Sequence, residues 1–135
     1  MSCIFCKIVK GEIPSHKIYE DKDVIVVLDI FPASKGHALI IPKEHYANVY
    51  DIPEDLFAKI AKIAKKIAIV AKKAFNADGV NIIMNNEKAA GQVIMHAHLH
   101  VIPRYEGDGI KFVLNQKKAS DEELKKVVEE YKKYL

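Results

Sequence analysis

The order of apolar and polar residues along this 135-residue chain predicts five β-strands and two helices. Five runs are rich in apolar residues and end at polar or turn-forming residues, as strands do. These predicted strands span residues 17–20, 24–29, 37–42, 80–85 and 96–104. From Pro53 to Phe75 the apolar residues recur at intervals of four and three, which is helical periodicity. Ser120 and Glu123 form a capping box for a second helix near the C-terminus.

The fold class that these elements predict is α+β. About five antiparallel strands form the sheet, the long helix packs on one of its faces, and a C-terminal helix follows. The length suits a single domain over residues 1–135, which is long enough to bury a core without disulfide bonds.

The composition argues against membrane and nucleic-acid partners. The longest unbroken apolar run of the central region, residues 67–71, is far shorter than the ~20 residues of a membrane span. The N-terminus is too polar for a signal peptide, so we expect a cytoplasmic protein. The net charge of +3 comes from twenty lysines and one arginine, which is a mild excess of point charges that we expect on solvated faces.

Three of the six histidines alternate with apolar residues in the last predicted strand. Side chains on a strand point alternately to its two faces, so His96, His98 and His100 are expected to share one face. The outer two side chains begin ~13 Å apart and cannot easily bind one metal ion together. We therefore expect the three imidazoles to have different roles.

Two cysteines, Cys3 and Cys6, have the C-x-x-C spacing of half a zinc site. A reducing compartment disfavours a structural disulfide, and no predicted strand precedes the motif as in a redox pair. A zinc site needs two more ligands from elsewhere in the chain. The candidates are His16, His37, His45 and His96. Two buried thiols without a metal are the alternative.

Asp29 ends the second predicted strand, before a loop that contains proline, serine and glycine. One carboxylate at such a position can accept hydrogen bonds from both hydroxyls of a ribose, although it can equally well cap the turn. A second turn contains Gly91, and backbone N–H groups around a glycine can approach a phosphate closely.

Three segments together resemble the histidine triad (HIT) family of nucleotide hydrolases and transferases. The run H-A-H-L-H-V-I fits the pattern His-φ-His-φ-His-φ-φ, with Gly91 and Gln92 just upstream. The segments C-I-F-C-K-I-V-K-G-E-I-P and D-I-F-P-A-S-K-G-H-A-L-I-I-P-K-E-H precede it at matching separations. The resemblance covers about residues 3–105 and leaves a helical tail at about 120–135. It implies a homodimer that binds a purine nucleotide such as AMP or its conjugates.

The cysteine pair resembles that of zinc-carrying prokaryotic members of the family. There the ligands are completed by the histidine after I-P-K-x and by the first histidine of the triad. The resemblance thus implies one structural zinc per chain, bound by Cys3, Cys6, His45 and His96, and no cofactor in the chemical step.

The resemblance also implies roles at the nucleotide. His98 is expected to attack the α-phosphate, with one ring nitrogen unprotonated and the other donating to a backbone carbonyl. His100 is expected to contact the phosphate and carry a proton, and His37 to orient the site from the facing strand. The implied nucleotide contacts come from Phe5, Ile8, Asp29, Ile30, Asn85, Gly91, Gln92, Val93, His98 and His100. The chain departs from the common pattern at Val93, where many relatives carry a serine or threonine near the leaving group.

The expected function is a nucleotide hydrolase or nucleotidyl transferase with a covalent nucleotidyl-histidine intermediate. Its substrate would be a nucleoside phosphoramidate or a dinucleoside polyphosphate, and the third histidine favours hydrolysis, since related hexose-phosphate uridylyl transferases have glutamine there. Two other readings stay open. One is a metal-dependent hydrolase in which H-x-H supplies catalytic ligands, and the other is a nucleotide-binding regulatory protein with incidental turnover.

Overall fold

Five antiparallel strands form one sheet in the computed structural model, which describes residues 3–135. The strands are β1 (Lys17–Glu20), β2 (Val24–Leu28), β3 (Ala38–Pro42), β4 (Gly79–Ile83) and β5 (Leu99–Arg104). The helices are α1 (Ile4–Val9), α2 (Glu54–Phe75) and α3 (Asp121–Lys132), with a 3₁₀ turn at Lys88–Ala90. The strand order is β1-β2-β3-β5-β4, so β1 and β4 are the edges. The predicted α+β class is confirmed.

The sheet has an apolar core on each face. Strands β2 and β3 are unbroken apolar runs, because alternate residues face opposite sides and both sides are covered. Helix α2 covers one face with Ile60, Ile63 and Ala64. On the other face Phe5 of α1 packs with Ile25, Val27, Leu39 and Ile41. The candidate site lies on this second face.

Helix α2 follows the predicted periodicity closely. It begins after Pro53 and ends at Asn76, whose φ of 51° is the left-handed conformation that terminates helices. Acidic residues in its first turn and lysines in its last turn complement the helix dipole. The Ser120 hydroxyl caps α3 by accepting a hydrogen bond from the Glu123 N–H at 3.2 Å, which is one of the two bonds of the predicted capping box. No helix within residues 3–135 combines the length and the apolar character needed to cross a bilayer.

The last strand is shorter than predicted, because β5 begins at Leu99 and leaves His96 and His98 before it. Continued pairing with β3 would set Ala97 opposite Pro42, which has no N–H to donate. The Ala97 N–H instead bonds the Tyr46 carbonyl at 2.7 Å, outside the sheet. The three histidines therefore do not share one regular strand face, and each ring has its own surroundings.

The N-terminal helix α1 was not among the predicted elements. It has six residues, and its N-cap is Cys3, whose sulfur accepts a hydrogen bond from the Cys6 N–H at 3.4 Å.

The remaining differences from the predicted elements are small shifts at the ends of strands. Strands β2 and β3 each lose one predicted residue, Asp29 and His37, and β4 moves to Gly79–Ile83.

Candidate active site and metal cluster

A cavity of about 530 Å³ lies between α1, the end of β2 and the segment that leads into β5. Nine residues expected to contact a nucleotide line it. They are Phe5, Ile8, Asp29, Ile30, Asn85, Gly91, Val93, His98 and His100. Within residues 3–135, no lysine or arginine lines this cavity. The wall is predominantly apolar, and its polar side chains besides the histidines are Asp29, Asn85 and Ser15.

Several lining residues were missed by the sequence reasoning. They include Ile4, Ile13, Pro14, Ser15, Phe31 and Ile94. Ile13 and Pro14 belong to the N-terminal segment that carries the family resemblance, so a signal for them was present. Phe31 belongs to the segment beginning at Asp29 that also carries the family resemblance, and its side chain is 85% exposed.

His98 is held in one tautomer by the main chain. Its Nδ1–H donates to the His96 carbonyl at 2.7 Å, so the proton is on Nδ1 and Nε2 has a free lone pair. Burial lowers the pKa of His98 below 6.5, which the bond to the carbonyl opposes. The ring is therefore neutral near pH 7 and presents a nucleophilic nitrogen at the cavity.

A chain of hydrogen bonds fixes the tautomers of His37 and His100. The Ala33 N–H donates to His37 Nδ1 at 3.0 Å, so the ring proton of His37 is on Nε2. That proton is donated to His100 Nδ1 at 2.9 Å, which places the His100 proton on Nε2. His100 thus offers an N–H donor beside the His98 lone pair. Their ring centroids are 5.0 Å apart.

The rings of His37 and His100 are both neutral near pH 7. Burial, followed by the nearby His98 and His37 rings, lowers the pKa of His100 to about 4. Burial also lowers the pKa of His37, against the opposing effect of the Asp29 carboxylate. His37 is only 6% exposed and stands behind His100, so it orients the site without lining the cavity.

Asp29 serves the turn and the cavity at once. One carboxylate oxygen accepts from the Phe31 N–H at 2.9 Å, which is the turn cap that the sequence left open. The other lies 3.6 Å from His37 Nε2. A carboxylate has about four acceptor positions, so the side chain can still accept from ligand hydroxyls.

Gln92 does not lie where the sequence reasoning expected it. Its side chain is 3% exposed and is absent from the cavity wall. The amide accepts from the Glu87 N–H and donates to the Ala47 and Ile94 carbonyls, at 2.6 to 3.0 Å. Its own N–H donates to the Glu87 carbonyl. Because its side-chain amide and its N–H are engaged inside the protein, Gln92 braces the turn and does not line the cavity.

The expected zinc ligands come together next to the cavity. Donor atoms of Cys3, Cys6, His45 and His96 all lie within 4.8 Å of one another. His96 Nδ1 is 3.3 Å from Cys3 Sγ and 3.6 Å from Cys6 Sγ, and His45 Nδ1 is 3.4 Å from Cys6 Sγ. Tetrahedral zinc separates its sulfur and nitrogen ligands by about 3.3–3.8 Å. The donor set and its spacing fit zinc.

Hydrogen bonding also supports this cluster. His96 Nε2 donates to the Pro42 carbonyl at 2.8 Å, which aims the Nδ1 lone pair at the two sulfurs. Burial and the neighbouring Cys3 thiol raise the pKa of Cys6, and a bound cation would favour the thiolate there. His16 is exposed, and the His37 ring is hydrogen-bonded to His100. Neither residue is therefore a candidate ligand of this cluster.

A second group of possible ligand atoms, from Asp29, His37 and His100, also lies within 4.8 Å. His37 Nδ1 already accepts the Ala33 N–H, so its Nε2 holds a proton and is not a free metal ligand. His96 and His98 also direct their Nδ1 atoms differently, one to the cysteines and one to a carbonyl. This geometry disfavours a catalytic metal held by the H-x-H pair.

An antiparallel sheet with helices on both faces and an H-x-H-x-H segment at a cavity defines the class of histidine triad proteins. The HIT domain model matches residues 10–107, and the chain belongs to the HIT family. The matched region is close to the span of about 3–105 expected from the motifs.

Three curated relatives illustrate the family. An uncharacterized HIT-like protein of Methanocaldococcus jannaschii is 47% identical over 93% of this chain and 98% of its own length. An adenosine 5'-monophosphoramidase of Saccharomyces cerevisiae is 48% identical over 76% of this chain and 63% of its own. An adenylylsulfatase of Arabidopsis thaliana is 45% identical over 78% of this chain and 54% of its own.

Solved structures share the fold. A HIT family protein of Bacillus subtilis superposes with a TM-score of 0.93 at 40% identity, over 100% of this chain and 98% of that one. A zinc-bound histidine triad family protein of Mycobacterium smegmatis superposes with a TM-score of 0.79 at 38% identity, over 100% and 99% of the two chains.

Proposed function

We propose that the protein is a nucleotide hydrolase or nucleotidyl transferase that forms a covalent nucleotidyl-His98 intermediate. The observation that carries this proposal is the tautomer of His98, whose Nδ1–H is bound to the His96 carbonyl while Nε2 is free at the cavity. The relatives named as a monophosphoramidase and an adenylylsulfatase support an adenylyl compound as substrate.

The first step forms a bond between His98 Nε2 and the α-phosphorus as the bond to the leaving group breaks. The imidazole gains positive charge in this step, and the bond from Nδ1–H to the His96 carbonyl strengthens as it does. His100 Nε2–H donates to a phosphate oxygen, where negative charge accumulates. The departing group takes up a proton from solvent water, and the attacking water returns a proton to solvent in the second step.

The second step releases the nucleotide. Water attacks the phosphorus, the bond to Nε2 breaks, and the water proton leaves while His98 returns to its neutral tautomer. Another acceptor in place of water gives nucleotidyl transfer. His37 holds His100 in its donor tautomer throughout.

Asp29 is the proposed ribose ligand, and the apolar wall of Ile8, Ile13 and Pro14 suits a purine ring. Val93 lines the cavity, is 88% exposed and has no hydroxyl. Leaving-group assistance therefore does not come from this side chain. Nucleoside phosphoramidates and dinucleoside polyphosphates are the proposed substrate classes.

One structural zinc per chain is proposed at the cluster of Cys3, Cys6, His45 and His96, since its donor spacing fits that ion. The zinc would hold the N-terminal segment, while the chemistry above uses imidazole and water alone. The two unpaired cysteines suit a reducing compartment such as the cytoplasm.

A homodimer is proposed because two surfaces are incomplete in one chain. Strand β4 is an edge strand, and Ile82 on it is 49% exposed. Such edges pair readily with another copy. Helix α3 buries no residue, yet Leu124, Val127 and Tyr131 give it apolar positions. Sedimentation equilibrium should give twice the chain mass, and a monomer at micromolar concentration would refute this.

The central experiment traps the intermediate. The protein is mixed with an adenosine phosphoramidate, quenched rapidly, and searched by intact mass and peptide mapping for an acid-labile adenylyl group on His98. His98→Ala should lose several orders of magnitude in turnover and still bind AMP. His16→Ala is the matched control, because His16 is exposed and outside both histidine clusters.

Two results would contradict the proposal. If His98→Ala keeps a tenth of the wild-type turnover, His98 is not the nucleophile. If chelation abolishes kcat at saturating substrate while the protein stays folded, a metal-dependent hydrolase becomes the better interpretation.

A further inference from the structure

Helix α1 belongs to two sites at once. Cys3 at its N-cap and Cys6 within it supply ligands of the metal cluster. Phe5 and Ile8 line the nucleotide cavity. A helix of six residues has no stability of its own, so its position depends on these contacts.

Phe5 is the residue that joins the two sites. Its side chain is 4% exposed, and its ring meets His96 edge-on at 5.8 Å between centroids. The same ring meets His98 edge-on at 5.0 Å. His96 is a ligand of the cluster and His98 is the proposed nucleophile. Phe5 also directly precedes Cys6, so a shift of the cysteine backbone shifts the ring.

We propose that Phe5 is a positioning residue that couples metal binding at the cluster to nucleotide binding in the cavity. The inference rests on the proposed function, because it takes AMP as the ligand. When zinc binds, Cys3 and Cys6 are held against His45 and His96, and α1 is fixed as the cavity wall. Without zinc, α1 keeps only the burial of its apolar side chains, and the ring is no longer held against His98.

The coupling must be reciprocal. If zinc raises the affinity for AMP by some factor, AMP raises the affinity for zinc by the same factor. Couplings between two sites of one protein typically amount to about 5- to 150-fold. We expect at least about fivefold here.

The experiment measures both directions on the full-length chain. Calorimetry gives the AMP affinity of the zinc-loaded and the zinc-stripped protein, with circular dichroism to check folding. Competition with a chromophoric chelator gives the zinc affinity with and without saturating AMP. The second measurement begins from the loaded protein. If the stripped protein unfolds, AMP raises the apparent zinc affinity through folding alone, and an equal coupling factor in wild type and Phe5→Leu then overturns the role of Phe5.

Phe5→Leu and Ile8→Ala are compared with the wild type. Phe5→Leu keeps an apolar side chain and all four ligands but removes the ring, so the coupling factor should fall to about one. Ile8→Ala removes a cavity contact on the same helix. It should weaken AMP binding in both metal states and keep the wild-type factor. A Phe5 with only a structural role would lower the melting temperature and leave the factor unchanged.

The outcomes separate this inference from the proposed function. If the wild type binds AMP with a coupling factor near one, the coupling is overturned and the proposal of nucleotide binding stands. If Phe5→Leu keeps the wild-type coupling factor, the role of Phe5 is overturned. Absence of AMP binding in the zinc-loaded wild type removes the proposed function and the coupling with it. The inference is supported if the coupling factor of the wild type exceeds about five, is lost in Phe5→Leu and is kept in Ile8→Ala.

Discussion

The Nε2 atom of His37 lies 2.9 Å from Nδ1 of His100, although the two residues are 63 positions apart in the chain. Because the Ala33 N–H occupies the other nitrogen of His37, this contact has one direction, from His37 to His100. The consequence is that His100 presents an N–H, and not a lone pair, to a phosphate in the cavity.

Removing the His37 imidazole should slow the reaction. In His37→Ala, His100 can adopt the other tautomer, so kcat should fall about ten- to a hundredfold, by analogy with the loss of residues that orient metal-binding histidines. KM should change less. His37→Gln should recover part of the loss, since a glutamine amide can accept from Ala33 and donate to His100. Steady-state kinetics of both variants check this, and an unchanged kcat in His37→Ala would contradict the orienting role.

The low pKa of His100 predicts a loss of stability in acid. Its folded-state pKa of about 4 lies below the unfolded value near 6.5, so the unfolded chain binds more protons between these values. The free energy of unfolding should therefore fall as the pH drops from about 7 to 4. The contribution of this one group is at most about 3 kcal/mol.

Urea denaturation at pH 7 and pH 5 tests this for wild type and His100→Gln. The difference in unfolding free energy between the two pH values should be smaller in the variant, because glutamine does not titrate. The rings of His37 and His98 and the Asp29 carboxylate face the same group in both proteins. An equal difference in the two proteins would show that His100 does not carry the effect.

The zinc cluster makes a stoichiometric prediction. Protein purified without added metal should contain close to one zinc per chain by elemental analysis. Cys3→Ala should lose the metal and melt earlier, because a structural site contributes to folding free energy. His16→Ala should keep both the zinc and the melting temperature, since His16 is outside the cluster. Absence of zinc in the wild type would refute the site.

Asp29 should contribute to nucleotide affinity. Asp29→Ala loses charge-assisted bonds to the ribose, which is worth about 1.5–3 kcal/mol or roughly ten- to a hundredfold in AMP affinity. Asp29→Asn should also weaken binding while its side-chain oxygen still accepts from the Phe31 N–H. Calorimetry measures both, with circular dichroism to confirm unchanged helix content. Asp55→Asn, on α2 and away from the cavity, is the control, and equal affinity in all variants would limit Asp29 to the turn.

The sequence by itself determined the five strands and the helices α2 and α3, and it indicated the chemistry proposed for the site. The periodicity from residue 53 to 75 placed α2 to within one residue, because one buried stripe on a helix requires that spacing. The family motifs indicated Cys3, Cys6, His45 and His96, which the fold brings within 4.8 Å of one another.

Only the tertiary structure decided how these groups are oriented. The start of β5 depends on Pro42, and the lone pair of His96 is aimed by the carbonyl of the same residue, 54 positions away. Gln92 lies inside because Ala47, far along the chain, accepts its amide. A local pattern fixes which face a residue occupies, whereas the direction of a proton or a lone pair is set by hydrogen-bond partners that the fold brings from distant segments.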